Sequence, residues 1–386
     1  MGCGELYRRS DDRWSFRLKS SDGQTLAVDA GQGYSTKDAA RAALEQLLRS
    51  DFKGAIGEAA TVVCGLEITE DTTLDGDLTC STGPALVVAA DGVTLDLGGF
   101  KVSGNPDATG EGPGILLREV TGSTVKNGTV QHFDAGIVIA GGSANVVQDV
   151  TAQDNVGSTA GDLGDGIVAI NSSQNRIQGC AVQRNGPYSG IALVEASSEN
   201  LIRGNIVTDN NMLHLGDPSE GRQNMGIRIE GPAANKNKVV GNTIKGSGAD
   251  GISIHSTFDL ANEENTVAKN TSNANGASGR GSGIKLFSTA VDAVSPSRNI
   301  IKDNVTDDNT TYGVSVESAG DGVGASENKL IRNKARGNLV YDGHDANTDP
   351  PCDANVWDEN DLGTVSQQCL RVSTAAAAGQ PDPRPA

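Results

Sequence analysis

The sequence predicts an all-β chain: a right-handed parallel β-helix solenoid with three strands per rung, preceded by a small N-terminal ββα domain. Three observations predict it. A Gly-Ile-x-Ile phrase recurs at rung-length spacing, asparagines punctuate the stretches between its copies, and glycine is abundant at 50 residues while aromatics make up only 3% of the 386. An ordinary globular core leans on aromatic bulk, so this composition points to a thin, regular interior built from repeats.

Residues 5–50 read differently from the rest. Trp14-Ser-Phe-Arg-Leu-Lys19 alternates apolar and polar residues, Ser21-Asp-Gly-Gln24 supplies a turn, and Thr25-Leu-Ala-Val28 starts a second strand. Ser35 then serves as N-cap for a helix over Thr36–Leu48, whose Ala39, Ala42, Ala43, Leu44, Leu47 and Leu48 follow helical periodicity. Over WSFRLKSSDGQTLAVDAGQGYSTKDAARAALEQL the chain resembles the small YegP-like domain, a unit of unknown function that occurs as tandem or self-associated pairs. Its small core implies pairing with a second copy or docking on the rest of the chain. The expected limits are 1–52 for this domain, 53–63 for a linker, 64–372 for the solenoid and 373–386 for a disordered, low-complexity tail.

The repeat is read from Gly136 onward. Its phrase begins at Gly136, Gly166, Gly190, Gly226, Gly251, Gly283 and Gly313, with steps of 30, 24, 36, 25, 32 and 30 residues. A second strand follows each time as Asn-x-apolar, as in Asn175/Ile177 and Asn265/Val267. Corner asparagines come five residues later (Asn205, Asn242, Asn270, Asn304, Asn333), and another set closes the third strand (Asn155, Asn185, Asn210, Asn275, Asn309, Asn338). Asparagine tolerates a left-handed backbone at such corners and hydrogen-bonds along a stack of equivalents.

Before the repeat, Cys64-Gly, Asp77-Leu-Thr-Cys80 and Gly92-Val-Thr-Leu-Asp-Leu-Gly-Gly-Phe100 resemble the start of many secreted parallel β-helix proteins, and Pro350-Pro-Cys-Asp-Ala-Asn-Val-Trp357 resembles their end. The resemblance is to right-handed β-helix proteins that bind or cleave carbohydrate, including pectate-lyase-like, alginate-epimerase-like and NosD-like members. It implies a polysaccharide partner. Two departures stand out. The alginate-epimerase string Tyr-Gly-x-Asp-Pro-His is absent, with Tyr341-Asp-Gly-His-Asp345 sharing only its composition, and no clustered aspartates of the pectate-lyase calcium type occur. Calcium is the one cofactor the resemblance brings.

Charge and cysteines set further limits. A net charge of -18 repels nucleic acid and anionic membranes, and no apolar run reaches membrane-spanning length. Cys64 lies near Cys80 and Cys352 near Cys369, one pair at each end of the repeat, which predicts two local disulfides with Cys3 and Cys180 free. That placement suggests an extracytoplasmic, oxidising compartment, whereas MGCGELYRRSDDRWSF holds no signal-peptide core; the compartment stays open. Cys180 fills a corner asparagine's place, so a packed thiol is expected, and His132 and His344 read as exposed turn residues.

Alternation within Gly-Ile-x-Ile-z turns both aliphatics inward and Gly, x and z outward. The outward x/z pairs run Val138/Ala140, Val168/Ile170, Ala192/Val194, Arg228/Glu230, Ser253/His255, Lys285/Phe287 and Ser315/Glu317, so the first rungs are apolar and the later ones charged. Arg228 and Lys285 are expected ~10 Å apart with His255 between them in rung order. Loops carrying His214 and Arg222, and Arg280, feed the same strands and add substrate-binding candidates together with Glu317. Met225 and Phe287 are expected to shield this groove. Arg228 and Lys285 would neutralise a uronate carboxylate, His255 would move the proton, and Glu230 would orient His255 or bind a cation: lyase-type elimination on an acidic polysaccharide. Hydrolysis needs two carboxyls about 5–10 Å apart; Glu230 and Glu317 fall ~14 Å apart by rung count. Asp250 lies closer to Glu230 but precedes its strand, so its direction, like that of Asp165, is not fixed by the pattern, and geometry favours elimination over hydrolysis. The reading from another class is a non-catalytic structural or adhesive module that self-associates through its N-terminal domain.

Overall fold

The structure is a computed structural model that describes residues 3–8, 13–19, 25–28, 33–48, 62–107, 112–158, 163–211, 225–256, 261–288, 295–318, 324–347 and 354–371. The chain falls into two compact units, Met1–Thr61 and Val62–Ala386. Among the described residues no helix is long and apolar enough to cross a membrane.

In the N-terminal unit, strands Trp14–Lys19 and Thr25–Val28 form the expected antiparallel hairpin, and helix Lys37–Leu48 follows. Two details differ from expectation. A further strand, Cys3–Arg8, pairs antiparallel with Trp14–Lys19 and sets Leu6 opposite Phe16, so the order is β-β-β-α. The helix cap is Thr36 rather than Ser35: the Ala39 N–H donates to Thr36 Oγ1 at 3.2 Å. Phe16, Ala40 and Leu44 are buried, and the Phe16 ring stacks on Tyr34 with centroids 6.0 Å apart.

The second unit is a solenoid of parallel strands. One face is an 11-stranded sheet whose members include Ala135–Ala140, Ile167–Ile170, Ile191–Val194, Ile227–Glu230, Ile252–Ser256, Ile284–Ser288, Tyr312–Ser318 and Tyr341–Asp345. The second and third strands of each rung build the remaining walls, with Val147, Ile177, Ile202, Val239, Val267 and Ile301 stacked in register. Ile137, Ile167, Ile191, Ile227, Ile252 and Ile284 of the first sheet are fully buried. Each such side chain contributes about 1.5–3 kcal/mol of burial, and a one-residue slip would turn the whole set outward.

The asparagines form ladders. The N–H of Asn242 donates to Asn270 Oδ1 at 2.9 Å, the N–H of Asn270 to Asn304 Oδ1 at 2.9 Å, and each Nδ2 reaches a carbonyl of an earlier rung. Their role at the corner differs from the expected one. The left-handed backbone belongs to the residue before the asparagine, as at Gln174 (φ 59), Glu199 (φ 59), Lys236 (φ 58) and Arg298 (φ 53), while the asparagines turn in and close the corner by hydrogen bonding.

The repeat glycine also departs from its expected outward position. A Cβ built on Gly166 would come 2.5 Å from Val182 Cγ1 and 2.7 Å from Asn185 Nδ2, and on Gly190 it would come 2.7 Å from both Val207 Cγ1 and Asn210 Nδ2. Those atoms belong to the interior and its asparagine ladder, so the glycine faces inward where the chain turns into the strand. Only a residue without Cβ fits there. One consequence is that Asp165 and Asp250, immediately before such glycines, carry their side chains to the outer side of the sheet.

Cys64 and Cys80 are disulfide-bonded, as expected. Cys369 is disulfide-bonded as well, and Cys352, its expected partner, lies outside the described residues, as do the tail from residue 372 and the side chain of Cys3. Cys180 is a free, buried thiol whose pKa burial pushes up to about 11.

Candidate functional site

Register across five neighbouring strands of the first sheet builds the site. Arg228, Ser253, Lys285, Ser315 and His344 form one column, and Glu230, His255, Phe287 and Glu317 form the next. The outward alternation thus places Arg228, Glu230, His255, Lys285 and Glu317 on one face. His344, expected in an exposed turn, lies instead on strand Tyr341–Asp345 and extends the first column, half-buried. Its strand is hard to recognise because Gly343 pairs with Val314 and so occupies the place of the inward aliphatic.

The two cations are not free, which corrects the expectation of a groove ready to neutralise a substrate carboxylate. Arg228 is only 5% exposed; it donates from Nη1 to Glu230 Oε2 at 2.6 Å, and its Nη2 lies 3.6 Å from Asp165 Oδ1. The Tyr188 ring covers its Cζ at 5.9 Å. Lys285 Nζ lies 3.2 Å from Glu317 Oε2, 3.8 Å from Asp250 Oδ2 and 4.6 Å from the Phe287 ring centre. The physical reason is that a charge taken out of water must be paired.

Each cation thus holds two carboxyl groups, and the electrostatics follow. Asp165 has its pKa raised by burial, with Arg228 and the Ser189 N–H (2.7 Å) opposing that shift. Asp250 is raised by burial too, against Lys285 and the Ser282 N–H at 2.8 Å. Burial pulls the Lys285 ammonium down, but Asp250 and Glu317 outweigh it and the net shift is upward. Glu317 accepts from the Ser315 hydroxyl at 2.6 Å.

His255 sits among these groups with its ring 4.9 Å from Phe287. Its pKa is lowered, chiefly by burial; Glu230 opposes this, and Lys285 and Arg228 reinforce it. Both of its ring nitrogens are buried without a hydrogen-bond partner, and so are Arg228 Nε, Ser253 Oγ and His344 Nδ1. A buried unpaired polar atom costs about 1–3 kcal/mol. Five such atoms lie on two adjacent columns of this face.

The remaining expected residues separate as follows. Glu317 joins the cluster. Arg280 is exposed on its loop and takes no part in these contacts. His214 and Arg222 lie outside the described residues. Met225 is buried, and Phe287 packs on both His255 and Lys285. The pattern leaves the direction of Asp165 and Asp250 open, and it carries no signal for Tyr312 or His344 as site residues. Among the described residues no group of three or more His, Cys, Asp or Glu is arranged to hold a metal ion.

With this geometry in hand, comparison with known proteins decides the fold name. Residues 87–271 match the family model of the right handed beta helix region, and residues 10–49 match that of a domain of unknown function (DUF1508). The fold is a right-handed parallel β-helix. Among solved structures, the chain is similar to the periplasmic alginate epimerase AlgG with a TM-score of 0.55 and 14% identity, covering 95% of this chain and 91% of that one. The catalytic domain of a GH87 alpha-1,3-glucanase in complex with nigerose gives 0.51 and 14% over 80% of this chain and 62% of that one. The Dettilon tailspike protein gives 0.51 and 14% over 76% and 61%. The β-helix chain thus spans less than two thirds of the tailspike and glucanase chains, and at this identity the likeness is one of fold. No curated protein matches the chain.

Proposed function

We propose that this face of the β-helix binds a polysaccharide and hydrolyses a glycosidic bond between Asp250 and Glu317. One observation carries the reading: both carboxyl groups reach the same Lys285 Nζ, so their oxygens are at most about 7 Å apart, a bound compatible with the spacing of a glycosidase carboxyl pair. Their surroundings differ in the way acid–base division of labour requires. Burial raises the pKa of Asp250, which suits it to carry the proton to the departing glycosidic oxygen. Glu317, more open and bonded by Ser315 and Lys285, acts on the opposite side as base or nucleophile. Lys285 stands between the two and pairs with the Glu317 carboxylate at 3.2 Å. Relatives in fold include proteins named as a glucanase and an alginate epimerase, which supports a glycan as partner.

The test is incubation with α-1,3-glucan, alginate and polygalacturonate, measuring released reducing ends and product absorbance. Hydrolysis predicts reducing ends without unsaturated product, and Asp250→Asn or Glu317→Gln lowering the rate about 10²–10⁴-fold. Wild-type turnover that survives both substitutions overturns the assignment.

A second reading has one observation in its favour. His255 has its pKa lowered by burial and both ring nitrogens unpaired, and it stands between Arg228 and Lys285 in rung order, which suits a base for elimination on a uronate chain. The engaged state of both cations weighs against it. Unsaturated product from alginate or polygalacturonate, lost in His255→Ala, would establish it.

A further inference from the structure

Beyond the carboxyl pair, the same face carries an aromatic group that the chemistry above does not use. Tyr312 and Tyr341 are register partners on adjacent strands, with ring centroids 6.3 Å apart and planes within 5°. The His344 ring lies 4.3 Å from Tyr312 at 13°, and 6.3 Å from Tyr341 at 9°. All three rings are therefore nearly parallel. His344 follows Lys285 and Ser315 in one column, two rungs beyond the lysine, or ~10 Å along the solenoid.

Two features of this group are not accounted for by packing. Leu339 is 78% exposed, Val340 45% and Tyr341 36%, a contiguous apolar run left in water beside the rings. His344 Nδ1 is buried without a hydrogen-bond partner. A stack serving only to close the sheet would bury its apolar members and satisfy its polar atom.

We propose that Tyr312, Tyr341 and His344 form a sugar-binding subsite that takes a pyranose ring of the polysaccharide cleaved at Asp250 and Glu317. The inference rests on the hydrolase reading for its position in the chain of subsites, and on the rings themselves for its chemistry. A pyranose presents an apolar C–H face and a rim of hydroxyls. The C–H face packs on the aromatic surface of the stack. The group carries no cation, so it selects a neutral or hydroxyl-presenting ring face rather than a carboxylate. Tyr312 lies on the strand one rung beyond Lys285, and Tyr341 and His344 one rung further, so the subsite begins ~5 Å along the solenoid from the lysine and adjoins the scissile bond.

The experiment measures kcat/KM for oligosaccharides of two to eight units made from α-1,3-glucan, alginate and polygalacturonate, with calorimetric binding of the same probes. In the wild-type protein, kcat/KM should climb from dimer to hexamer on the accepted polymer as the subsite fills. Tyr341→Ala should reduce that climb about fivefold to tenfold, with a parallel loss of hexamer affinity, and Tyr341→Phe should restore most of it. A full climb in Tyr341→Ala, or an equal loss for dimer and hexamer, overturns the subsite while leaving the hydrolase reading in place. Binding of hexamers that depends on Tyr341 without any cleavage supports the subsite and removes the hydrolase reading. If the wild-type protein neither binds nor cleaves any probe, both fall.

Discussion

Asp250 and Lys285 stand one rung apart on the outer face of the β-helix, with Oδ2 3.8 Å from Nζ, and Glu317 meets the same nitrogen from the following rung at 3.2 Å. This three-membered group makes Lys285 part of the fold's electrostatics as well as of the site. Lys285→Met is therefore expected to destabilise the protein by about 2 kcal/mol at pH 7, below the full value for a completely buried pair because a fifth of the lysine remains exposed. The sign of the pH dependence follows. Asp250 is raised in the native state even with the lysine present, and more so without it, so the benefit of its proton is complete below its unfolded pKa and lost as pH rises through the folded one. Urea melts of the variant should show a deficit that shrinks toward acid pH. A constant deficit across pH 4–8 would show that the lysine acts through packing alone.

His255 gives the opposite slope. Its folded pKa is depressed, mainly by burial, so its contribution to stability is present above the unfolded value of about 6.5 and is lost as pH falls through the folded value. Below pH 6.5 the wild-type protein should lose up to about 1.4 kcal/mol per pH unit from this one group. In His255→Gln that part of the slope should vanish, leaving the contribution of His344, which is depressed by burial in the same direction. Parallel stability profiles for the two proteins between pH 5 and 7 would mean that His255 titrates normally.

The asparagine ladders support the solenoid that holds the site. Asn270 accepts the Asn242 N–H through Oδ1, and its Nδ2 donates to Val239 O and to Asn304 Oδ1. Asn270→Ala leaves a buried amide and a carbonyl unpaired and should cost about 2–3 kcal/mol in denaturant unfolding. A loss below 0.5 kcal/mol would show that water replaces the side chain.

Peptide mapping without reduction should recover Cys64 linked to Cys80. Cys180, buried and with its thiol pushed up to about 11, should resist alkylation at pH 8 in the native protein and react only after unfolding. Rapid labelling of Cys180 under native conditions would contradict its place in the corner ladder.

The solenoid and the identity of its outer face are legible in the order of residues alone. Period-two alternation and a strict glycine-aliphatic phrase leave one register that buries Ile227, Ile252 and Ile284, and this register alone puts Arg228, His255 and Lys285 side by side. The direction of a residue at a corner carries no such periodicity. Only the tertiary structure showed that the repeat glycines face inward, because it placed the asparagine ladder where a Cβ would go. That inward turn sends Asp165 and Asp250 outward to meet Arg228 and Lys285, and it converts an apparent pair of free cations into two carboxyl-bearing ion-pair clusters. His344 was hidden for a related reason. Gly343 stands in the place of an inward aliphatic, so the phrase that marks every earlier rung is missing, and only parallel pairing with Tyr312–Ser318 restores the histidine to the face it shares with Lys285. Local alternation fixes which side of a strand a residue takes, whereas contacts between residues 32 to 63 positions apart decide which charges meet across rungs.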